Sequence, residues 1–137
     1  MSAFHNCSNL VNLNFPICIN INSSAFYSCN SLNNINFPLC EIIGNSAFTS
    51  CKNLAIISFP KCISIGTFAF YNCNKLESAY FMGSSIASLG TNIFYSTPIT
   101  NSTYLGYFGS IYVPTSLLAS YKTATNWTTY SSRMVGI

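Results

Sequence analysis

Charge is what this sequence has least of. Only seven side chains are formally charged, Lys52, Lys61, Lys75, Lys122 and Arg133 against Glu41 and Glu77, and the net charge is +3. Cations this few and this scattered do not build a nucleic-acid groove, so no nucleic-acid partner is expected. General acid–base and nucleophilic catalysis draw on carboxylates and histidine. Two glutamates and a single histidine, His5, leave almost no material for either, so the chain is expected not to be an enzyme and to need no cofactor. Long apolar runs are missing as well. Half the residues are hydrophobic, but Asn, Ser, Pro and Gly break every apolar stretch well short of the roughly 20 residues that a spanning helix needs. No membrane insertion is therefore expected. The opening MSAFHNCSNLVN has no basic segment followed by an apolar one, so no signal peptide is expected in this chain.

What the sequence does have is a period. Ala-Phe recurs at Ala3-Phe4, Ala25-Phe26, Ala47-Phe48 and Ala69-Phe70, a spacing of 22. Three residues after each pair stand Cys7, Cys29, Cys51 and Cys73, followed after three more by Leu10, Leu32, Leu54 and Leu76. An alternating tract comes next: Leu13-x-Phe15-Pro16, Ile35-x-Phe37-Pro38 and Ile57-x-Phe59-Pro60, degraded to Ala79-x-Phe81-Met82. Beyond each proline come Cys18, Cys40 and Cys62, then Ile21, Ile43 and Ile65. All seven cysteines thus lie 11 residues apart, half of one repeat.

Period-2 tracts closed by Pro, and by Gly44, Gly66 and Gly90, argue against amphipathic helices. They predict a solenoid of short parallel strands, with equivalent residues stacked in columns at a strand spacing of about 4.8 Å. Phe, Leu and Ile columns form the core, and Cys, a small side chain that behaves as apolar, fills the narrow places. The segment Leu32 to Leu54, LNNINFPLCEIIGNSAFTSCKNL, resembles the BspA-like leucine-rich repeat of the Treponema pallidum type. Ala-Phe-x-x-Cys and Phe-Pro recur in phase over residues 2 to 94, which makes the resemblance specific. Two departures lie in the fourth copy, Met82 in place of Pro and two extra residues between Phe81 and Leu89.

Ile111-Tyr-Val-Pro114 keeps the phase of Ile57-Ser-Phe-Pro60 and is expected to be a fifth and final strand. The intervening ITNSTYLGYFG is expected to bulge as a loop, within an irregular insertion near 95–110. Residues 1–114 are thus read as a solenoid of about five coils and 115–137 as a C-terminal cap. In the cap, Thr115 or Ser116 is expected to N-cap a short helix with Leu117, Leu118, Tyr121 and Ala124 on one face, and Trp127 is expected to be its core. No matching N-terminal cap is visible, so the first coil is expected to expose an open edge and could associate end to end with another chain.

Seven is an odd number for disulfides, and columns of four and three account for every cysteine by packing, so free thiols are expected. No local Cys-x-x-Cys spacing points to a metal. His5, without an acidic neighbour, is read as an exposed bystander. Sequons at Asn6, Asn22, Asn101 and Asn126 are what an Asn/Ser/Thr-rich chain produces by chance. Binding is then left to the surface. With Leu13 and Phe15 inward, the outward columns are Asn12, Asn34, Ile56, Ser78 and Asn14, Asn36, Ser58, Tyr80, a neutral face able to hydrogen-bond a glycan or a peptide. The insertion aromatics Tyr104, Tyr107 and Phe108, with Tyr95 nearby, form the other candidate. The resemblance implies a non-enzymatic protein-binding or adhesion module of a microbial surface or secreted protein, with a protein or glycan ligand on a host or neighbouring cell. A structural or fibre-forming segment and the receptor-recognition module of a viral fibre remain alternatives.

Overall fold

The computed structural model describes residues 3–137. Each repeat supplies two short strands and a turn. The front strands are β1 (Asn12–Asn14), β3 (Asn34–Asn36), β5 (Ile56–Ser58) and β7 (Ser78–Tyr80). The return strands are β2 (Asn20–Ile21), β4 (Ile42–Ile43), β6 (Ser64–Ile65) and β8 (Ser88–Leu89). The front side continues with β9 (Ser110–Val113) and β10 (Met134–Gly136). All pairings are parallel and in phase, Asn12 opposite Asn34 and Ile56 opposite Ser78. The return ladder β2-β4-β6-β8 is continuous, whereas the front ladder divides into β1-β3 and β5-β7-β9-β10. The two extra residues of the fourth copy do not disturb the return ladder, because β8 still pairs Leu89 with Ile65.

The third side of each coil is the turn around Ala-Phe. Its flanking residues take left-handed backbone at Ser24, Ser46, Phe68 and Asn92, and again at Ser28, Ser50, Asn72 and Ser96, with φ between 54° and 61°. Small polar side chains tolerate this region best, which accounts for the Ser and Asn there and makes Phe68 an exception. The turns are laddered like strands: the amides of Phe26, Phe48 and Phe70 donate to the carbonyls of Ala47, Ala69 and Ile93 at 2.8 to 3.1 Å.

Two phenylalanine columns fill the interior. Phe4, Phe26, Phe48, Phe70 and Phe94 stack with centroids 5.2 to 5.9 Å apart. Phe15, Phe37, Phe59 and Phe81 lie beside them, and Trp127 closes this second column edge-on at 5.5 Å from Phe81. Phe15 points inward as expected, stacked on Phe37 at 5.5 Å, but as the first rung of its column it is 37% exposed where Phe37 is 2% exposed. Glycine marks where coils approach most closely. A Cβ on Gly44, Gly66 or Gly90 would lie 2.5 Å from the backbone nitrogen of the preceding coil, so no side chain fits.

The C-terminal segment departs from expectation. Residues Thr115–Leu117 form a 3-10 turn and α1 (Leu118–Thr123) follows directly, without a side-chain cap from Thr115 or Ser116. Pro114, with its fixed φ and no amide hydrogen, starts the turn instead. The strand at 110–113 is not the last: a second 3-10 stretch, Thr128–Arg133, returns the chain so that β10 pairs with β9, Met134 opposite Ile111. Trp127 and Tyr121 are buried as expected, and the indole Nε1 donates to the carbonyl of Ala87 at 2.7 Å.

The described structure has free thiols at all seven cysteines, five of them buried. In one column, Cys29, Cys51 and Cys73 donate to the carbonyls of Phe4, Phe26 and Phe48 in the preceding coil at 3.0 to 3.2 Å. In the other, Cys18, Cys40 and Cys62 bond to carbonyls two residues on. Burial pushes the thiols of Cys40, Cys62 and Cys73 up to about 12, and raises Cys29 and Cys51 as well.

Two predictions come from this packing. Phe48→Ala empties a fully buried rung touching coils on both sides and should cost about 3–5 kcal/mol, whereas Asn36→Ala on the exposed face should stay within about 0.5. Denaturation midpoints that shift alike would invert the assigned inside and outside. The thiols predict the second outcome. Below the ordinary thiol range the buried cysteines are neutral in both states. As pH climbs from about 8.5 toward the raised native values, the unfolded chain loses protons that the fold retains, so stability should fall steadily on the alkaline side. Intact-mass measurement after iodoacetamide at neutral pH should show at most Cys7 and Cys18 modified, and all seven only after denaturation; modification of all seven in the folded state would refute the packing role.

Candidate functional site

The outward residues of the front strands form three zones. Over β1 and β3 the side chains are locked to one another along the columns: Asn34 donates to Asn12 at 2.9 Å and Asn36 to Asn14 at 2.8 Å. All four are exposed. Each column thus holds one amide-to-amide bond, donated from the later coil to the earlier, which fixes the orientation of both side chains. The amide columns stop at β5, where the same positions carry Ile56 and Ser58. Here the strand pairing stops too, and a groove of about 300 Å³ opens between β3 and β5, lined by Asn33, Asn34, Ile35, Ala55, Ile56 and Ser58. Ile56 is 55% exposed on its rim.

Beyond the groove lies an aromatic zone. Tyr80 of β7 stacks on Tyr112 of β9 with centroids 4.5 Å apart and planes 11° from parallel. Tyr112 and Ser110 extend the outward columns by one rung, since Ser110 lies opposite Ser78 and Tyr112 opposite Tyr80. Sequence reasoning left this rung out, although the phase of Ile111 carried it. Ser78 and Tyr80 are only half-exposed, being covered in part by their neighbours.

The insertion has a packed base and an exposed tip. Ile99 is buried, and Thr97 and Thr100 hold the base by donating to the carbonyl of Phe94 at 2.7 and 2.8 Å. The tip begins with a 3-10 turn, Ser102–Tyr104, capped by the Asn101 side chain accepting from Thr103 N–H. Tyr104, Tyr107 and Phe108 are exposed there, as expected of a bulging loop. Tyr107 donates its hydroxyl to Glu77, the residue before β7, and this bond with the carboxylate raises the phenol above its ordinary value. The Arg133 guanidinium lies 3.5 Å over the Phe108 ring, tying the tip to the segment that leads into β10. Because Glu77 and Gly109 directly precede β7 and β9, the insertion sits at the start of the aromatic zone. The two regions expected separately from the sequence therefore form one rim and face. Tyr95 is apart from them, stacked on Tyr71 on the Ala-Phe turn side at 5.6 Å. His5 is exposed, as expected, and stacks on Tyr27 of that side at 4.8 Å.

Among the described residues no group of three or more His, Cys, Asp or Glu side chains could hold a metal ion, and no helix is long and apolar enough to cross a membrane. No curated protein and no solved structure matches the chain. One family model does, that of the BspA type leucine rich repeat region, whose six copies cover residues 1–113. With that match over most of its length, and with stacked 22-residue coils of short parallel strands, the chain belongs to the BspA-type leucine-rich repeat family.

Proposed function

We propose that the chain is a non-enzymatic protein-binding module that serves adhesion, displayed at a microbial surface or on a secreted protein. Repeats of this family support an interaction role in general. The observation that carries the adhesive reading is the front face, where two amide–amide pairs, a groove and the Tyr80–Tyr112 stack lie side by side beside an aromatic rim. Tyrosine gives large, rigid contact area with a hydrogen-bonding end, which is why it recurs among the anchors of protein interfaces. Fixed amides offer both donors and acceptors to an extended peptide; a glycan is the other ligand that such a neutral face suits.

End-to-end stacking is a second reading, favoured by the apolar residues of the first coil, Val11, Phe15, Ile17 and Ile19, all at least 37% exposed. Asn22 limits its geometry. It stands where later coils need Gly44, Gly66 and Gly90, so its Cβ blocks a further coil from seating in the same register.

The test is binding of the chain to immobilised extracellular-matrix proteins and to intact host cells. The double variant Tyr80→Ala/Tyr112→Ala should weaken any binding at least about tenfold, the loss of one good anchor, with little change in melting temperature. Undiminished binding by that variant would remove the front face from the function. Sedimentation over a range of concentrations tests the second reading, which fails if the chain stays monomeric.

A further inference from the structure

The Ala-Phe turn side carries a column that the front-face reading does not use. Its positions are His5, Tyr27, Thr49, Tyr71 and Tyr95, each directly after Ala-Phe or Ile93-Phe94. The carbonyls of Tyr27, Thr49, Tyr71 and Tyr95 mark successive rungs, accepting from Asn6, Ser28, Ser50 and Asn72 at 2.8 to 2.9 Å, so the coil step is regular through the column. Below and above the middle rung the rings are stacked nearly in parallel: His5 on Tyr27 at 4.8 Å and Tyr71 on Tyr95 at 5.6 Å, each pair with planes 5° apart. The middle rung has no ring. Thr49 is buried there, its hydroxyl committed to the carbonyl of Phe68 at 2.7 Å. A shallow depression of about 280 Å³, open to solvent, lies at this rung, lined by Tyr27, Ser46, Thr49, Phe68 and Tyr71.

Phe68 supplies an independent observation. Its counterparts Ser24, Ser46 and Asn92 are small and polar, as left-handed backbone favours. Phe68 holds the same conformation, φ 58°, with a bulky ring 40% exposed and set edge-on to Tyr71 at 5.6 Å. A large side chain kept in a strained conformation and turned to solvent beside a vacant rung is a cost that the fold itself does not need.

We infer that this slot is a binding site for one flat, uncharged aromatic ring, the Tyr, Trp or Phe side chain of a partner polypeptide. Tyr27 and Tyr71 are two coil steps apart, about 10 Å at the strand spacing. A ring placed midway would lie about 5 Å from each, inside the range that aromatic pairs prefer and close to the spacing of the pairs above and below. The bound ring completes the column, with Thr49 as floor and Phe68 as the side wall. None of the five lining residues is charged, which matches a neutral ring and offers nothing to an ion. The face is distinct from the front strands, so the inference stands or falls separately from the proposed adhesive surface.

The experiment titrates N-acetyltryptophanamide into the chain and follows the ring resonances of Tyr27 and Tyr71 by NMR, with methyl β-glucopyranoside as the comparison. Saturable shifts at both rings with the aromatic probe are expected. Thr49→Tyr fills the rung from within and should abolish them; Phe68→Ser supplies the residue of the two preceding coils and should weaken binding several-fold while the melting temperature holds or rises. Tyr80→Ala/Tyr112→Ala should leave the titration unchanged. Should Thr49→Tyr not fold, Tyr27→Ala takes its place and should lose the Tyr71 shifts. Absence of shifts, equal shifts in Thr49→Tyr, full affinity in Phe68→Ser, or shifts with the pyranoside alone would each overturn the assignment.

Discussion

Each coil can bury its side chains only against the coils beside it, so the whole structure depends on one constraint: equivalent atoms must fall in the same place in every coil. Backbone enforces it on three sides, through the two strand ladders and through the amide-to-carbonyl bonds of the Ala-Phe turns. The side chains then obey. Phenylalanine rings can stack only if the step is uniform, and glycine must stand wherever one coil touches the backbone of the last. Cysteine suits the narrow rung because it combines small volume with a weak donor that reaches the preceding coil's carbonyl. In the fifth coil Thr97 takes that place, fully buried, and its hydroxyl finds the Phe94 carbonyl, as a buried polar group must.

A scaffold this regular makes departures local. When the outward position changes from Asn34 to Ile56, the return ladder behind it is unaffected, and the change is felt only as an opening between β3 and β5. When a tyrosine gives way to Thr49, the carbonyl ladder passes through the rung unaltered and what remains is a slot. The long insertion before β9 likewise leaves Ile111 in register with Ala79. Stability and recognition are thereby separated: inward columns set the first, while outward columns vary without moving the backbone.

That separation also decides what could be read from the sequence. The strands, their inside and outside, and the cysteine columns were legible because each rests on residues that recur in phase. Strand β10 was not, since Met134-Val135-Gly136 has neither the Leu-x-Phe tract nor the proline, and its pairing comes from the path of the chain through two 3-10 stretches. The missing N-cap has a similar cause: Thr115 has the right chemistry, but Pro114 already supplies the turn. The left-handed positions did carry a signal, the small polar residues flanking Ala-Phe, and Phe68 was the visible exception. The front-ladder break was hidden on the inward side, because residues 54 to 59 keep the apolar pattern of the other repeats; only the outward change from Asn34 to Ile56 accompanies it.

Scarcity of charge then acquires a physical meaning beyond what it excludes. Three of the seven charged side chains are engaged with neutral groups, Lys75 with the Asn53 amide, Glu77 with the Tyr107 hydroxyl and Arg133 with the Phe108 ring. With five cations, two carboxylates and a net charge of +3, long-range steering is weak, and a partner gains little from electrostatic attraction at a distance. In the binding role proposed above, discrimination falls to contact geometry: amides held by their neighbours, rings held in parallel, and a rung without a ring. Such a surface should recognise its partner nearly alike at low and high salt, because its ordered groups are dipoles and ring faces that screening scarcely touches.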